Sequence, residues 1–107
     1  MFIALAKLIE LQEGYRRVFN VAGHQLLILV VDGQTYVLEN TCPHQGRPLQ
    51  QARIIGRVLQ CPWHGIEFDL LTGRALQGQC APLTLHKIHY QGDRVGVVLD
   101  SHDTRIF

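Results

Sequence analysis

Hydrophobic positions along the chain fall into short β-rich runs separated by turn dipeptides, and no sustained helical period interrupts them. Leu26 to Val31, Asp32-Gly33 and Thr35 to Leu38 predict a hairpin, because an Asp-Gly pair supplies the positive φ angles that a two-residue turn requires. Ile88 to Tyr90, Gly92-Asp93 and Val95 to Leu99 predict a second hairpin of the same kind. Between the two hairpins the strand signals shorten. Ile54 to Gln60 predicts one strand, and Ile66 to Asp69 predicts another leading into a turn at Leu71-Thr72-Gly73. The pattern therefore predicts an all-β fold, with neither internal repeats nor low-complexity stretches.

Composition changes this picture in one place. Thr41 to Pro82 holds all four prolines and every cysteine, with glycines at 46, 56, 65, 73 and 78. A chain of 107 residues is one domain by length, and the changed composition over 41–82 sets that segment apart from 1–40 and 83–107 as the place where the candidate chemistry sits. With 47% apolar and 18% charged residues, the chain has the balance of an ordinary globular protein.

Charge and hydropathy exclude several classes of function. A net charge of +1 offers no concentrated basic face for nucleic acid or an anionic membrane. No apolar run approaches the roughly 20 residues needed to cross a bilayer. Arg16-Arg17, followed by the apolar run from Leu26 to Val31, has a superficial likeness to a twin-arginine export signal. The run ends at Asp32-Gly33, a hairpin turn, and not at the small residues of a cleavage site. Three cysteines without a leader point to a reducing compartment, where thiols bind metal more often than they pair, and the expected location is the cytoplasm.

Two motifs carry the candidate chemistry: Cys42-Pro43-His44-Gln45-Gly46 and Cys61-Pro62-Trp63-His64-Gly65, with 16 residues between His44 and Cys61. Each offers one thiolate and one imidazole. A single structural zinc draws its ligand pairs at wider spacing, so Cys-x-His fits it tightly. A two-iron cluster suits the pattern better, since residues i and i+2 of an extended loop lie roughly 6.6 Å apart and let the two side chains take different irons. Gly46 and Gly65 allow close backbone approach, while Pro43, Pro62 and Pro82 stiffen the loops. Cys80 reads as a partly buried thiol without a partner, Trp63 as a packing residue, and His24, His86, His89 and His102 as surface or hydrogen-bonded structural residues.

At these residues the chain resembles the Rieske family, whose Cys-x-His-x-Gly and Cys-Pro-x-His-Gly boxes both stand here in order. Phe68-Asp69 with Leu71-Thr72-Gly73 resembles the family's stretch after the second box, and Ala81-Pro82 resembles its proline loop. The resemblance implies one Rieske 2Fe-2S cluster, with Cys42 and Cys61 on the inner iron and His44 and His64 on the outer one. It implies a β-sandwich base with a smaller inserted cluster-binding β subdomain. High-potential members carry an additional cysteine in each box, where this chain has Arg47 and Trp63, and place Ser and Tyr hydroxyls where it has Ile66 and Phe68. The pattern is similar to the ferredoxins of bacterial ring-hydroxylating oxygenase systems, implying a low-potential, one-electron carrier that is not itself an enzyme. An oxygenase would need a second iron site of two histidines and a carboxylate, and the 43 residues after His64 hold no convincing set. No glycine-rich dinucleotide site is present either. The implied partners are a flavin-containing NAD(P)H reductase and a terminal Rieske oxygenase. Arg47, Arg53, Arg57 and Arg74 outnumber Glu67 and Asp69 in the cluster segment and offer local docking charge. Alternatives are the small subunit of assimilatory nitrite reductase and a zinc-bound interaction module.

Overall fold

A computed structural model describes residues 1–43, 46–62, 65–77 and 80–99. Ten strands run in the order β1 (Phe2–Lys7), β2 (Arg16–Val21), β3 (His24–Val31), β4 (Gln34–Glu39), β5 (Arg53–Ile55), β6 (Val58–Gln60), β7 (Glu67–Asp69), β8 (Leu85–His86), β9 (His89–Gln91) and β10 (Arg94–Val98). A 3-10 turn at Leu8–Glu10 follows β1. The strands form three antiparallel sheets, ordered β1-β10-β9, β2-β3-β4-β8 and β5-β6-β7. The all-β expectation holds.

The four-stranded sheet lies between two cores, and strand alternation explains how. Leu27 pairs with Leu38 and Leu29 with Tyr36, and these four side chains pack on one face with Leu49, Leu59, Phe68, Leu70 and Leu83. Leu26, Ile28 and Val37 point to the other face and pack with Leu5, Ala6, Val97 and Leu99. A strand buried on both faces needs apolar residues at consecutive positions, which is why β3 reads Leu-Leu-Ile-Leu-Val without alternation. One face therefore carries the segment between the predicted hairpins, and the other carries the sheet of β1, β9 and β10.

Both predicted hairpins are present. Asp32 and Gly33 take φ of 51° and 76° between β3 and β4, the two positive angles of a type I′ turn. The Glu13 carboxylate accepts the Asp32 and Gly33 amides at 2.8 and 3.0 Å, and these two bonds, Asp32's first, hold its pKa below the usual carboxylate value. Gly92-Asp93 joins β9 to β10. Two other features depart from the expectation. Ile54 to Gln60 is not one strand: Gly56, with φ of 57°, turns the chain so that Ile55 pairs with Val58, making β5 and β6 a hairpin. The earlier hairpin of β2 and β3 turns at Ala22-Gly23, whose φ angles are 49° and 81°. Alanine seldom adopts such an angle, so the dipeptide gave no turn signal.

Sheet closure at the chain ends depends on Gly96. β1 carries a bulge between Ala4 and Ala6, which lets the consecutive residues Leu5 and Ala6 both be buried. Opposite Ala4, an added Cβ on Gly96 would lie 1.9 Å from the Ile3 carbonyl oxygen, so β1 and β10 approach as closely as a hydrogen side chain permits. Gly96→Ala is expected to destabilise the fold by about 3 kcal/mol, because the clash is with backbone and not with a side chain that can turn away. Chemical denaturation should show the lower midpoint; an unchanged midpoint would mean that β1 shifts without cost.

Candidate metal centre in the paired cysteine loops

Cys42 lies just beyond β4 and Cys61 just beyond β6, so each thiol follows directly from a strand that is anchored in a sheet. Both are buried, at 0% and 1% exposure, and both belong to the core cluster of Leu27, Leu38, Leu49, Leu59 and Phe68. None of the three cysteines is in a disulfide. Cys80 is partly buried against the same cluster.

The two loops share one backbone pattern. The Cys42 amide donates to the Arg47 carbonyl at 2.7 Å, and the Gly46 amide donates to the Cys42 carbonyl at 2.6 Å. In the second loop the Cys61 amide donates to the Ile66 carbonyl at 2.8 Å, and the Gly65 amide donates to the Cys61 carbonyl at 3.0 Å. The closing glycines have φ of 71° and 72°. The described ends of each box are therefore tied together by the same two backbone bonds, while the i, i+2 step itself falls on residues outside the described ones. Within these equivalent turns, histidine stands two residues after Cys42 but three after Cys61. His44 and His64, with Trp63 and His102, lie outside the described residues.

Residues beyond the boxes hold the loops in place. Asn40 is 2% exposed and accepts the Leu49 amide at 2.8 Å, while its Nδ2 donates to Gln25 at 2.8 Å and Gln50 at 3.0 Å. It thus ties the chain before Cys42 to the chain that leaves the loop, with every polar atom of its amide used inside the protein. Arg16 Nη1 donates to the carbonyls of Gln50 and Ala52 at 2.9 and 2.7 Å. The arginine pair that resembled an export signal is part of β2, and its first member braces the segment after the first box. Behind the second box, the Leu83 amide donates to the Gly73 carbonyl at 2.7 Å, placing the Ala81-Pro82 segment beside the turn after β7. Phe68 is fully buried, and Ile66 packs against the same cluster.

The donor set fits an iron–sulfur group. Two thiols with no disulfide, each at the root of a tight glycine-closed turn and in one apolar cluster, are what a thiolate-bound metal requires of its protein.

A second cluster escaped the sequence reading. Glu39 Oε2 accepts from His24 Nδ1 at 2.9 Å and from His86 Nε2 at 2.6 Å, and the two imidazoles meet edge to face with centroids 6.0 Å apart. The expectation that these histidines are hydrogen-bonded is met, but they are not scattered. Two of the three residues precede the cysteine boxes, and only the pairing of β8 with β4 brings in the third, so no local spacing in the sequence marks them.

Comparison with known proteins agrees with the geometry. The Rieske [2Fe-2S] domain family matches residues 1–98. The ferredoxin component of the naphthalene 1,2-dioxygenase system of Pseudomonas aeruginosa is 33% identical over 102 residues, covering 92% of this chain and 95% of that protein. A ferredoxin of Sphingomonas yanoikuyae B1 superposes with a TM-score of 0.81 over 94% of this chain and all of that one, at 24% identity. A chain solved in the complex of reduced oxygenase and oxidized ferredoxin of carbazole 1,9a-dioxygenase superposes with a TM-score of 0.77 over 90% of this chain and all of that one, at 28% identity.

The matched turns generate a direct test. Gly46→Ala and Gly65→Ala each force a side chain into the left-handed region at a cost of about 1–2 kcal/mol. Among the described residues nothing crowds Gly46 within 4 Å, and Gly65 meets only the Gln60 side-chain nitrogen at 3.6 Å, so the cost is conformational. Both variants should unfold at lower denaturant than the wild type and by similar amounts. A large difference between them would contradict the equivalence of the turns.

Proposed function

The chain belongs to the Rieske 2Fe-2S family, and from that membership we propose that Cys42, His44, Cys61 and His64 hold its cluster and that the protein is a one-electron carrier. The electron donor in this reading is a flavin-containing NAD(P)H reductase, and the acceptor is a terminal Rieske oxygenase in an aromatic-compound dioxygenase system. The observation that carries it is the pair of equivalent turns, each rooting a buried thiol and each carrying one histidine. Residues 41–82 form the cluster-binding part and residues 1–40 and 83–107 the base. The setting is the cytoplasm. No helix among the described residues is long and apolar enough to cross a membrane.

A bound cluster supplies reversible uptake of a single electron, and this chain's own residues set how readily that happens. Cys42 and Cys61 lie in an apolar cluster of Leu49, Leu59 and Phe68, where added negative charge is poorly solvated. Ile66 and Phe68 bring no hydroxyl to that region, so no side chain at those positions donates a hydrogen bond to sulfur. Both features favour the oxidised state and a low potential. Arg47, Arg53, Arg57 and Arg74 are exposed around this half of the molecule and give it a basic rim for an acidic docking face. The dioxygenase reading is preferred to a nitrite reductase subunit because a curated relative matched over nearly its whole length is a dioxygenase ferredoxin.

Protein purified without added metal should contain about two irons and two acid-labile sulfides per chain. His64→Ala should lose the cluster or hold it weakly, read from the visible spectrum. The reduced protein should pass electrons singly from a reductase to a separate oxygenase and hydroxylate nothing alone. Stoichiometric zinc without sulfide would refute the reading, as would turnover by the isolated chain that survives catalase and superoxide dismutase.

The potential gives a second test. Ile66→Ser and Phe68→Tyr should each raise it, since a hydroxyl donating toward sulfur stabilises the reduced state. A differential of about 1 kcal/mol corresponds to roughly 40 mV for one electron, so the double variant should rise by some tens of millivolts. Protein-film voltammetry at fixed pH decides; a level or lower potential with an intact cluster would show that missing hydroxyls do not set it.

A further inference from the structure

His24, Glu39 and His86 surround one point. His24 begins β3, Glu39 ends β4 and His86 ends β8, three neighbouring strands of one sheet. Their placement is fixed by backbone register: Leu26 pairs with Glu39, Val37 pairs with His86, and the Glu39 amide donates to the Thr84 carbonyl at 2.9 Å. Alternation puts all three side chains on the face shared by Leu26, Ile28 and Val37. One ligand atom from each lies within 4.8 Å of the other two.

We propose that His24, Glu39 and His86 form a binding site for a divalent transition cation of the zinc class, separate from the iron–sulfur centre. The donor set is two imidazole nitrogens and one carboxylate oxygen, the combination that binds zinc with a fourth position left to water. Both nitrogens converge on the same carboxylate oxygen, at 2.9 and 2.6 Å. In the metal-free protein these are N–H donors to the carboxylate. Each imidazole can instead carry its hydrogen on the ring's other nitrogen, so that the two rings present two lone pairs to a metal. Donor atoms of a tetrahedral zinc complex lie about 3.3 Å apart, so each nitrogen moves outward from the carboxylate oxygen by well under 1 Å while the two nitrogens, within 4.8 Å of each other, draw together by at most about 1.5 Å.

Accessibility is suitable as well. The side chains of His24, Glu39 and His86 are 21%, 22% and 18% exposed, open enough for a hydrated ion to enter yet held by packing against the sheet. The carboxylate supplies the negative charge that compensates part of the cation's. A bound ion would clasp β8, only two residues long, to β3 and β4. Metal binding to the folded state alone then raises stability by mass action.

Isothermal titration of the cluster-loaded protein with zinc chloride tests the site without reference to electron transfer. One zinc per chain is expected, with a dissociation constant below about 100 μM. His24→Gln and His86→Gln should each weaken binding at least about tenfold, with His89→Gln, outside the cluster, unchanged. Cluster absorbance reports whether each variant is folded. If a variant loses it, the unaltered protein decides by NMR: zinc should shift the imidazole signals of His24 and His86 but not that of His89. No saturable binding, affinity retained in both folded variants, or shifts confined to other histidines would overturn the proposal, whatever the cluster carries.

Discussion

Burial of β3 on both faces is the constraint from which the remaining structure follows. A strand covered on one side alternates, and its other face can meet water. β3 cannot, because Leu27 and Leu29 feed one core while Leu26 and Ile28 feed the other. At about 25 cal/mol per Å² of apolar surface removed from water, each such leucine or isoleucine contributes some 1.5–3 kcal/mol, and both layers must be in place to collect it. The folding of the cysteine-bearing segment and that of the terminal strands are thereby coupled through one strand, although they share no sheet with each other.

Rigidity at the cysteines is a consequence of that coupling. Cys42 comes three residues after Glu39, at the end of the strand that pairs with β3, and the Asn40 side chain holds the chain between them with three hydrogen bonds: its carbonyl oxygen accepts from Leu49, and its nitrogen donates to Gln25 and Gln50. Replacing a buried amide that serves three partners would leave several polar groups unsatisfied in a dry environment, which costs more than the hydrogen bonds themselves contribute. Arg16 repeats the device from β2, reaching Gln50 and Ala52. The first cysteine turn thus hangs from two strands of the central sheet through side chains, while the second is rooted directly in the hairpin of β5 and β6.

The sequence made the strands and boxes legible because their signals are local. Asp32-Gly33 and Gly92-Asp93 announce their turns by residue type, and Cys-Pro-x-His-Gly stands within five positions. Ala22-Gly23 and Gly56-Arg57 carry no comparable signal at their first position or are embedded in an apolar run, so one hairpin went unseen and another was merged into a strand. Long-range convergence was wholly hidden. Glu39 meets His24 and His86, 15 and 47 residues away, through strand pairing that no spacing rule encodes. Asn40 and Arg16 were equally invisible, since an asparagine after a strand and an arginine within one have no distinguishing pattern until their partners are known.

Equivalence of the two turns bears on how one chain can present unlike ligands to a single group. Both turns return the chain through the same pair of backbone hydrogen bonds and close on a glycine of the same φ, so the peptide frame distinguishes them little. What differs is the position of histidine within the frame, second after Cys42 and third after Cys61. Proline follows the cysteine in both, fixing φ at the same step, and the residues left to vary are Gln45 beside His44 and Trp63 beside His64. Matching bonds at the described ends of both boxes with an offset histidine separate two tasks: the ends bury the thiols, and sequence alone sets where between them an imidazole stands. Exchange of His44 with Gln45, or of Trp63 with His64, would preserve composition and turn signals while moving the proposed ligand by one residue, so under the ligand set proposed above it is the register within the turn, and not the content of the box, that decides cluster binding.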